Sequence, residues 1–139
     1  MLRIKYYLIV IIALLLALPA NAQGDKTRTF SQRLFDAKVA QIEKSLNLSD
    51  EEVARFIPIY REYTEEMIRV WNELVAAFSG DTDSPAFRSL RRERSLQIRQ
   101  EYTEKFAEIL SDAEIKLFFK VENEIQRRLR ARKEQALKH

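Results

Sequence analysis

Between Val53 and Phe78 one face of the chain returns at steps of 4, 3, 4, 3, 4, 3 and 4, through Val53, Ile57, Tyr60, Thr64, Met67, Trp71, Leu74 and Phe78. A strand puts every second residue on one face, so only an α-helix keeps this set together. All but Thr64 are apolar, which makes the set a heptad seam that must find a partner. The start of the helix is also written in the sequence. Ser49-Asp50-Glu51-Glu52 is a capping box, in which the Ser49 hydroxyl accepts from the third amide and Glu52 reaches back to the cap amide. The spacing therefore predicts a helix from Asp50 to Phe78. Pro58 lies inside it and deletes one intrahelical bond. Because the seam stays in phase on both sides, a bend near Ala54–Pro58 is expected rather than a break.

Three more helices follow from the same reasoning. Thr29 and Gln32 form a possible capping box ahead of a stripe of Phe35, Val39, Ile42 and Leu46, which predicts a helix from Phe30 to Leu46 stopped by Asn47. The segment Ser79–Ser84 reads as a loop, with Ser84 as N-cap and Pro85 in the first turn of the next helix. That helix is expected to reach Ile109 on a sparse face of Phe87, Leu90, Ile98, Tyr102, Phe106 and Ile109. A further box, Ser111-Asp112-Ala113-Glu114, opens a last helix with Ile115, Phe118, Phe119, Ile125 and Leu129 on one face. Only two glycines, Gly24 and Gly80, occur, and neither sits in a periodic segment. The expected fold is all-α with four helices.

The first 22 residues are not expected to belong to that fold. Arg3 and Lys5 precede an unbroken apolar run from Leu8 to Leu18, and Pro19-Ala20-Asn21-Ala22 ends it with small residues at the positions of an Ala-x-Ala cleavage site. These are the parts of a secretory signal peptide cut after Ala22. An uncleaved anchor is the rival, but a spanning helix needs about 20 apolar residues. The organisation read from the sequence is thus a signal peptide over 1–22, a flexible stretch over 23–29, a helical domain over 30–132 and a basic tail over 133–139. The expected location is periplasmic.

With the signal removed, Arg3 and Lys5 go too, and the excess of basic over acidic residues falls from three to one. The distribution is more informative than the total. Acidic residues dominate from Glu43 to Glu73, whereas Arg88, Arg91, Arg92, Arg94 and Arg99 crowd the third helix and six basic residues lie between Arg127 and Lys138. There is no cysteine, so helix packing alone must hold an exported chain together.

The two strongest caps belong to a repeat. Leu48-Ser49-Asp50-Glu51-Glu52 matches Leu110-Ser111-Asp112-Ala113-Glu114. At the same offset Val53 pairs with Ile115, Phe56 with Phe118, Ile57 with Phe119, Tyr63 with Ile125 and Met67 with Leu129. Tyr60 against Glu122 is the one clear mismatch on that face.

The spaced motifs Leu48-Ser49-x-x-Glu52 and Leu110-Ser111-x-x-Glu114 resemble the twice-occurring Leu-Thr-x-x-Gln motif of the Spy/CpxP-like periplasmic proteins. The segment Phe56-Ile57-Pro58-Ile59-Tyr60 is similar to a Phe-x-Pro-x-Tyr segment in a related group labelled sensors of extracytoplasmic-function sigma factors. The resemblance spans residues 30–132. It implies an elongated helical-hairpin arrangement in an antiparallel, cradle-shaped homodimer. It also implies one of two roles, binding unfolded clients without ATP or damping an envelope-stress signalling system. Ser for Thr and Glu for Gln leave the cap chemistry intact.

The residues themselves argue against catalysis and cofactors. His139 is the only histidine, cysteine is absent, and no glycine-rich phosphate loop exists. Some relatives are labelled metal sensors, but transition-metal sites favour imidazole or thiolate ligands that the folded part lacks. Neither an enzyme nor a metal protein is expected, and export makes nucleic acid an improbable partner. The arginines have two readings: solvated faces pairing with the acidic second helix, or a functional surface. Arg suits a surface that must engage carboxylates while stacking on apolar groups. Candidates for contact with a client or partner are Arg88, Arg91, Arg92, Arg127 and Arg128. Phe56, Ile59 and Phe119 lie beside the seams and either widen the core or line an interface or groove.

Overall fold

The computed structural model describes residues 29–138. The signal-peptide reading of 1–22 lies outside those residues. Four helices follow one another, with no strand among the described residues: α1 (Phe30–Leu46), α2 (Asp50–Ala77), α3 (Pro85–Phe106) and α4 (Asp112–Leu137). The protein is all-helical, as the periodicity requires.

Each helix begins on a side chain that the sequence identifies. Thr29, Ser49 and Ser111 make reciprocal capping boxes with Gln32, Glu52 and Glu114, and Ser84 caps α3 ahead of Pro85. Each reciprocal box satisfies two backbone donors that a helix start otherwise leaves open. The ends are set by backbone chirality. Asn47 takes φ 53° and closes α1, with its N–H bonded to the Glu43 carbonyl. Ser79 and Gly80 take φ 52° and 82° in succession, and the Gly80 N–H donates to Val75 at 2.8 Å, which turns the chain out of α2. α2 passes Pro58 without interruption. Pro58 and Ala54, whose carbonyl loses its partner, are both exposed, so solvent can take up that carbonyl.

Two boundaries differ from the sequence reading. α3 stops at Phe106, not Ile109, because the chain tightens into turns through which Leu110 donates to Phe106 at 2.8 Å. α4 runs to Leu137, so most of the stretch expected as a basic tail continues the helix. Its alternating Arg, Lys, Glu, Gln and Ala residues have high helix propensity and need no core to persist.

α2 packs on α3, and α1 packs on α4. Ring pairs fix the sense of the first pair. Phe78 meets Phe87, Tyr63 meets Tyr102 and Phe56 meets Phe106, so numbers fall along one helix as they rise along the other. α2 and α3 are therefore an antiparallel hairpin. Across the middle, Phe56, Tyr60, Phe106 and Phe118 form a ring cluster in which every side chain is at most 1% exposed. Centroid separations there are 4.7–5.6 Å, within the range where offset and edge contacts add to burial.

The buried face of α2 is not the seam itself. Phe56, Tyr60, Tyr63, Val70, Leu74 and Val75 are buried, whereas Thr64, Met67 and Trp71 of the seam are only partly covered. A helix wedged against three others buries a wider arc than a two-stranded seam does. One flank of the seam is thereby only partly covered, and there the candidate site lies.

Candidate functional site

All four helices contribute to a groove of about 740 Å³. α2 supplies a floor of Met67, Trp71 and Leu74, and α1 and α4 add Leu34 and Leu129. Leu74 is buried and the other four are partly covered. α3 forms a cationic wall from Arg88, Arg91, Arg92 and Arg99, and Arg130 of α4 faces it. The wall follows from helical spacing: steps of 3, 1 and 7 put these arginines on one side of α3.

The charges of the groove do not balance. Its lining holds six cations, counting Lys38, against one carboxylate, Glu122. Glu122 is already committed. It is 6% exposed, accepts from Lys38 Nζ at 3.2 Å and from Tyr60 Oη at 2.6 Å, and Gln126 approaches at 3.5 Å. Burial, and then the neighbouring Glu122 charge, hold the Tyr60 phenol far above the ordinary tyrosine range. The same two causes raise Tyr63. Both phenols are protonated at neutral pH, and Tyr60 donates to Glu122.

The arginines are held by stacking and crowding. Arg91 lies 5.1 Å over the Trp71 ring, and Arg99 lies 5.3 Å over Phe119 and donates to Asn123. Burial and the charge of Arg130 both disfavour the Arg91 cation. Elsewhere on α3 the charges find partners. Arg94 reaches Glu73 at 3.8 Å and Lys105 reaches Glu62 at 3.4 Å. Of the two readings of the basic face, pairing with acidic α2 describes Arg94 and Lys105. Arg88, Arg91, Arg92 and Arg130 make no ion pair among the described residues.

The candidate contact residues are thus divided. Arg88, Arg91 and Arg92 are brought together in the groove. Arg127 and Arg128 are exposed off it and pair with Glu124 on their own helix, at 3.6 and 2.9 Å. Phe56 is 1% exposed at the centre of the ring cluster, so in this conformation it offers nothing to a partner. Ile59 and Phe119 pack partly buried against the core and do not line the groove. The cap residues Leu48, Ser49, Glu52, Leu110, Ser111 and Glu114 start α2 and α4; Leu48 and Leu110 are buried.

Sequence reasoning noted Arg99 and Glu122 and counted Arg130 in a basic run, but selected none of them, nor Lys38, as a contact residue. One signal was available for Glu122. The repeat aligned it with Tyr60, 62 residues earlier, and these two mates touch. Phe56 and Phe118, also repeat mates, touch as well, at 5.6 Å. Helices built on the same template meet near their equivalent positions, so a mismatch between a phenol and a carboxylate there is a pairing. No group of histidine, cysteine and carboxylates suited to a metal ion exists among the described residues, and no described helix is long and apolar enough to cross a membrane.

The fold and groove define an all-helical protein with an arginine-walled, apolar-floored cleft. Comparison with protein-family models, with curated proteins and with solved structures finds no match to the chain.

Proposed function

We propose that this is an exported, ATP-independent chaperone-like protein that binds unfolded or misfolded envelope proteins through the arginine-walled groove. The observation that carries the reading is the pairing of a partly covered apolar floor with four arginines that have no carboxylate. An unfolded chain exposes apolar and acidic groups together. Unpaired charge speeds its capture, and contact with Met67, Trp71 and Leu129 then holds it. Arginine suits a varied client because its guanidinium accepts both carboxylates and ring faces.

Export rests on residues 1–22 and on the resemblance of Leu48-Ser49-x-x-Glu52 and Leu110-Ser111-x-x-Glu114 to the Spy/CpxP-like proteins. The same resemblance supports an antiparallel homodimer. Leu90, 36% exposed on α3, and Leu117, 36% exposed on α4, are apolar surface outside the groove that such a pairing would cover. Sedimentation equilibrium tests the dimer, and the N-terminal mass of the secreted protein tests cleavage after Ala22.

The decisive assay is light scattering from a denatured client diluted into buffer, with the purified protein and no ATP. Suppression at stoichiometric ratios is expected, weakened by R88Q/R91Q/R92Q and unchanged by R127Q/R128Q. No suppression for several unrelated clients would overturn the reading in favour of a single regulatory partner, such as an envelope-stress sensor, recovered by crosslinking in cells.

A further inference from the structure

The groove has the attributes of a small-ligand site as well as of a surface. Its volume of about 740 Å³ falls within the roughly 300–1,000 Å³ typical of ligand pockets. Every helix contributes apolar residues, Leu96 of α3 included, whereas the cations stand mainly along α3, with Arg130 of α4 and Lys38 of α1. Arg91 and Arg130 both line the groove, neither makes an ion pair among the described residues, and each is a like charge to the other. Such a pair is relieved by an anion, and two guanidinium forks fit the oxygens of one small acidic head. The one carboxylate in the lining cannot serve, because Lys38 and Tyr60 hold it at the inner wall. Arg99 adds a buried Nε that has no acceptor.

We infer that the groove is a binding site for a single-chain anionic amphiphile of the fatty-acid type, with its carboxylate between Arg91 and Arg130 and its acyl chain along Met67, Trp71 and Leu129. Charge complementarity selects the head, and the apolar floor takes the chain. A fatty acid joins the two kinds of surface in one molecule, which neither inorganic phosphate nor a neutral hydrocarbon does. The inference rests on the groove and not on the chaperone reading. Amphiphile binding without suppression of aggregation would end the latter alone, and the reverse result would end the former alone.

Trp71, the chain's one tryptophan, lies in the groove beneath Arg91 and reports on it directly. Dodecanoate below its micellar concentration should shift Trp71 emission saturably, at one molecule per chain. Dodecyltrimethylammonium, with the same tail and the opposite charge, should bind at least tenfold more weakly. The R91Q/R130Q variant should lose about tenfold in dodecanoate affinity, and R127Q/R128Q should lose nothing. Calorimetry on the same samples separates affinity from any change in the tryptophan's own surroundings, and thermal melting verifies that each variant is folded. Equal binding of the ammonium amphiphile would overturn the proposal, as would equal loss in R127Q/R128Q or the lack of saturation by dodecanoate. So would a bound fraction that falls as protein concentration rises, since a second copy of the chain would then be the occupant. Inorganic phosphate binding as tightly as dodecanoate would reduce the site to an anion site and overturn the acyl-chain assignment.

Discussion

Near the starts of α2 and α4, Phe56 and Phe118 each lie within 5.6 Å of both Tyr60 and Phe106, and the buried charge beside them is paired, Lys38 with Glu122. Towards the α2–α3 turn the same kinds of residue are used differently. Trp71 is only partly covered, its ring lies under an arginine, and four arginines stand without a carboxylate. Both regions combine aromatic rings with charge. In the first, each polar group has an internal partner and water is excluded. In the second, partners are missing on one side, and solvent or a ligand must supply them. Stability is expected to be concentrated in the first region and binding in the second, and substitutions can test that division.

The largest effect is expected at Glu122. Removing one member of a buried ion pair leaves an uncompensated charge and costs about 3–5 kcal/mol. Glu122→Leu should cost that much in urea denaturation, because Lys38 loses its counter-charge and the Tyr60 hydroxyl its acceptor. Replacing both partners, as K38M/E122L, should recover most of the loss, since an apolar pair of similar volume is often as stable. Equal instability of the single and double variants would move the importance of Glu122 from pairing to packing.

A second test uses pH. The folded Tyr60 phenol titrates above its unfolded value of about 10, so its contribution is fully present below that pH and is lost as pH rises beyond it. Above about pH 10 the unfolded chain releases the proton and the folded chain keeps it, which costs about 1.4 kcal/mol per unit for each such group. Tyr63 is shifted the same way, so Y60F should reduce the slope of stability against pH between 10 and 11 without abolishing it.

The caps give a smaller effect at both repeats. Ser49→Ala and Ser111→Ala each remove an acceptor for a backbone amide and should cost about 1 kcal/mol, within the usual range of roughly 0.5–2. Comparable losses in chemical denaturation would mean that α2 and α4 contribute equally to the closed region. A much smaller loss at Ser111 would make α4 the more easily frayed helix.

How legible this was depends on how local each determinant is. Caps, turn residues and 3.6-residue periodicity act over a few residues, and they place Thr29, Ser49, Ser84, Ser111 and Asn47 correctly. Burial depends on what comes to lie opposite. The seam of α2 was readable, but that Thr64, Met67 and Trp71 would be its partly covered flank depends on where α1 and α4 cross it. The arginines were visible as a cluster and not as a divided set. Arg94 pairs with Glu73, whereas Arg91, three residues away, meets Trp71 and Arg130, and only the arrangement of four helices separates them. Phe56 and Tyr60 lie on the same α2 face, yet their depth follows from Phe118, on a helix about sixty positions later.

The smallest expected effect has the opposite sign to the rest. Arg91 and Arg130 repel each other, and Arg91 is partly desolvated, so neutralising one of them removes an unfavourable term. Exposed charges are screened, which limits the gain to a few tenths of a kcal/mol at low salt and less at high salt. R91Q also gives up the contact over Trp71, worth about 0.5–1 kcal/mol at exposed sites, so it should be nearly neutral. R130Q loses no such contact and should stabilise slightly, with a gain that shrinks as salt is raised. An arginine whose removal leaves stability unchanged or improved is not kept for folding. Stabilisation by R130Q together with weakened binding would place the cost of function in the open region. A loss of stability in R130Q would instead mean that the arginines help close the groove, and the contrast between the two regions would then be one of degree.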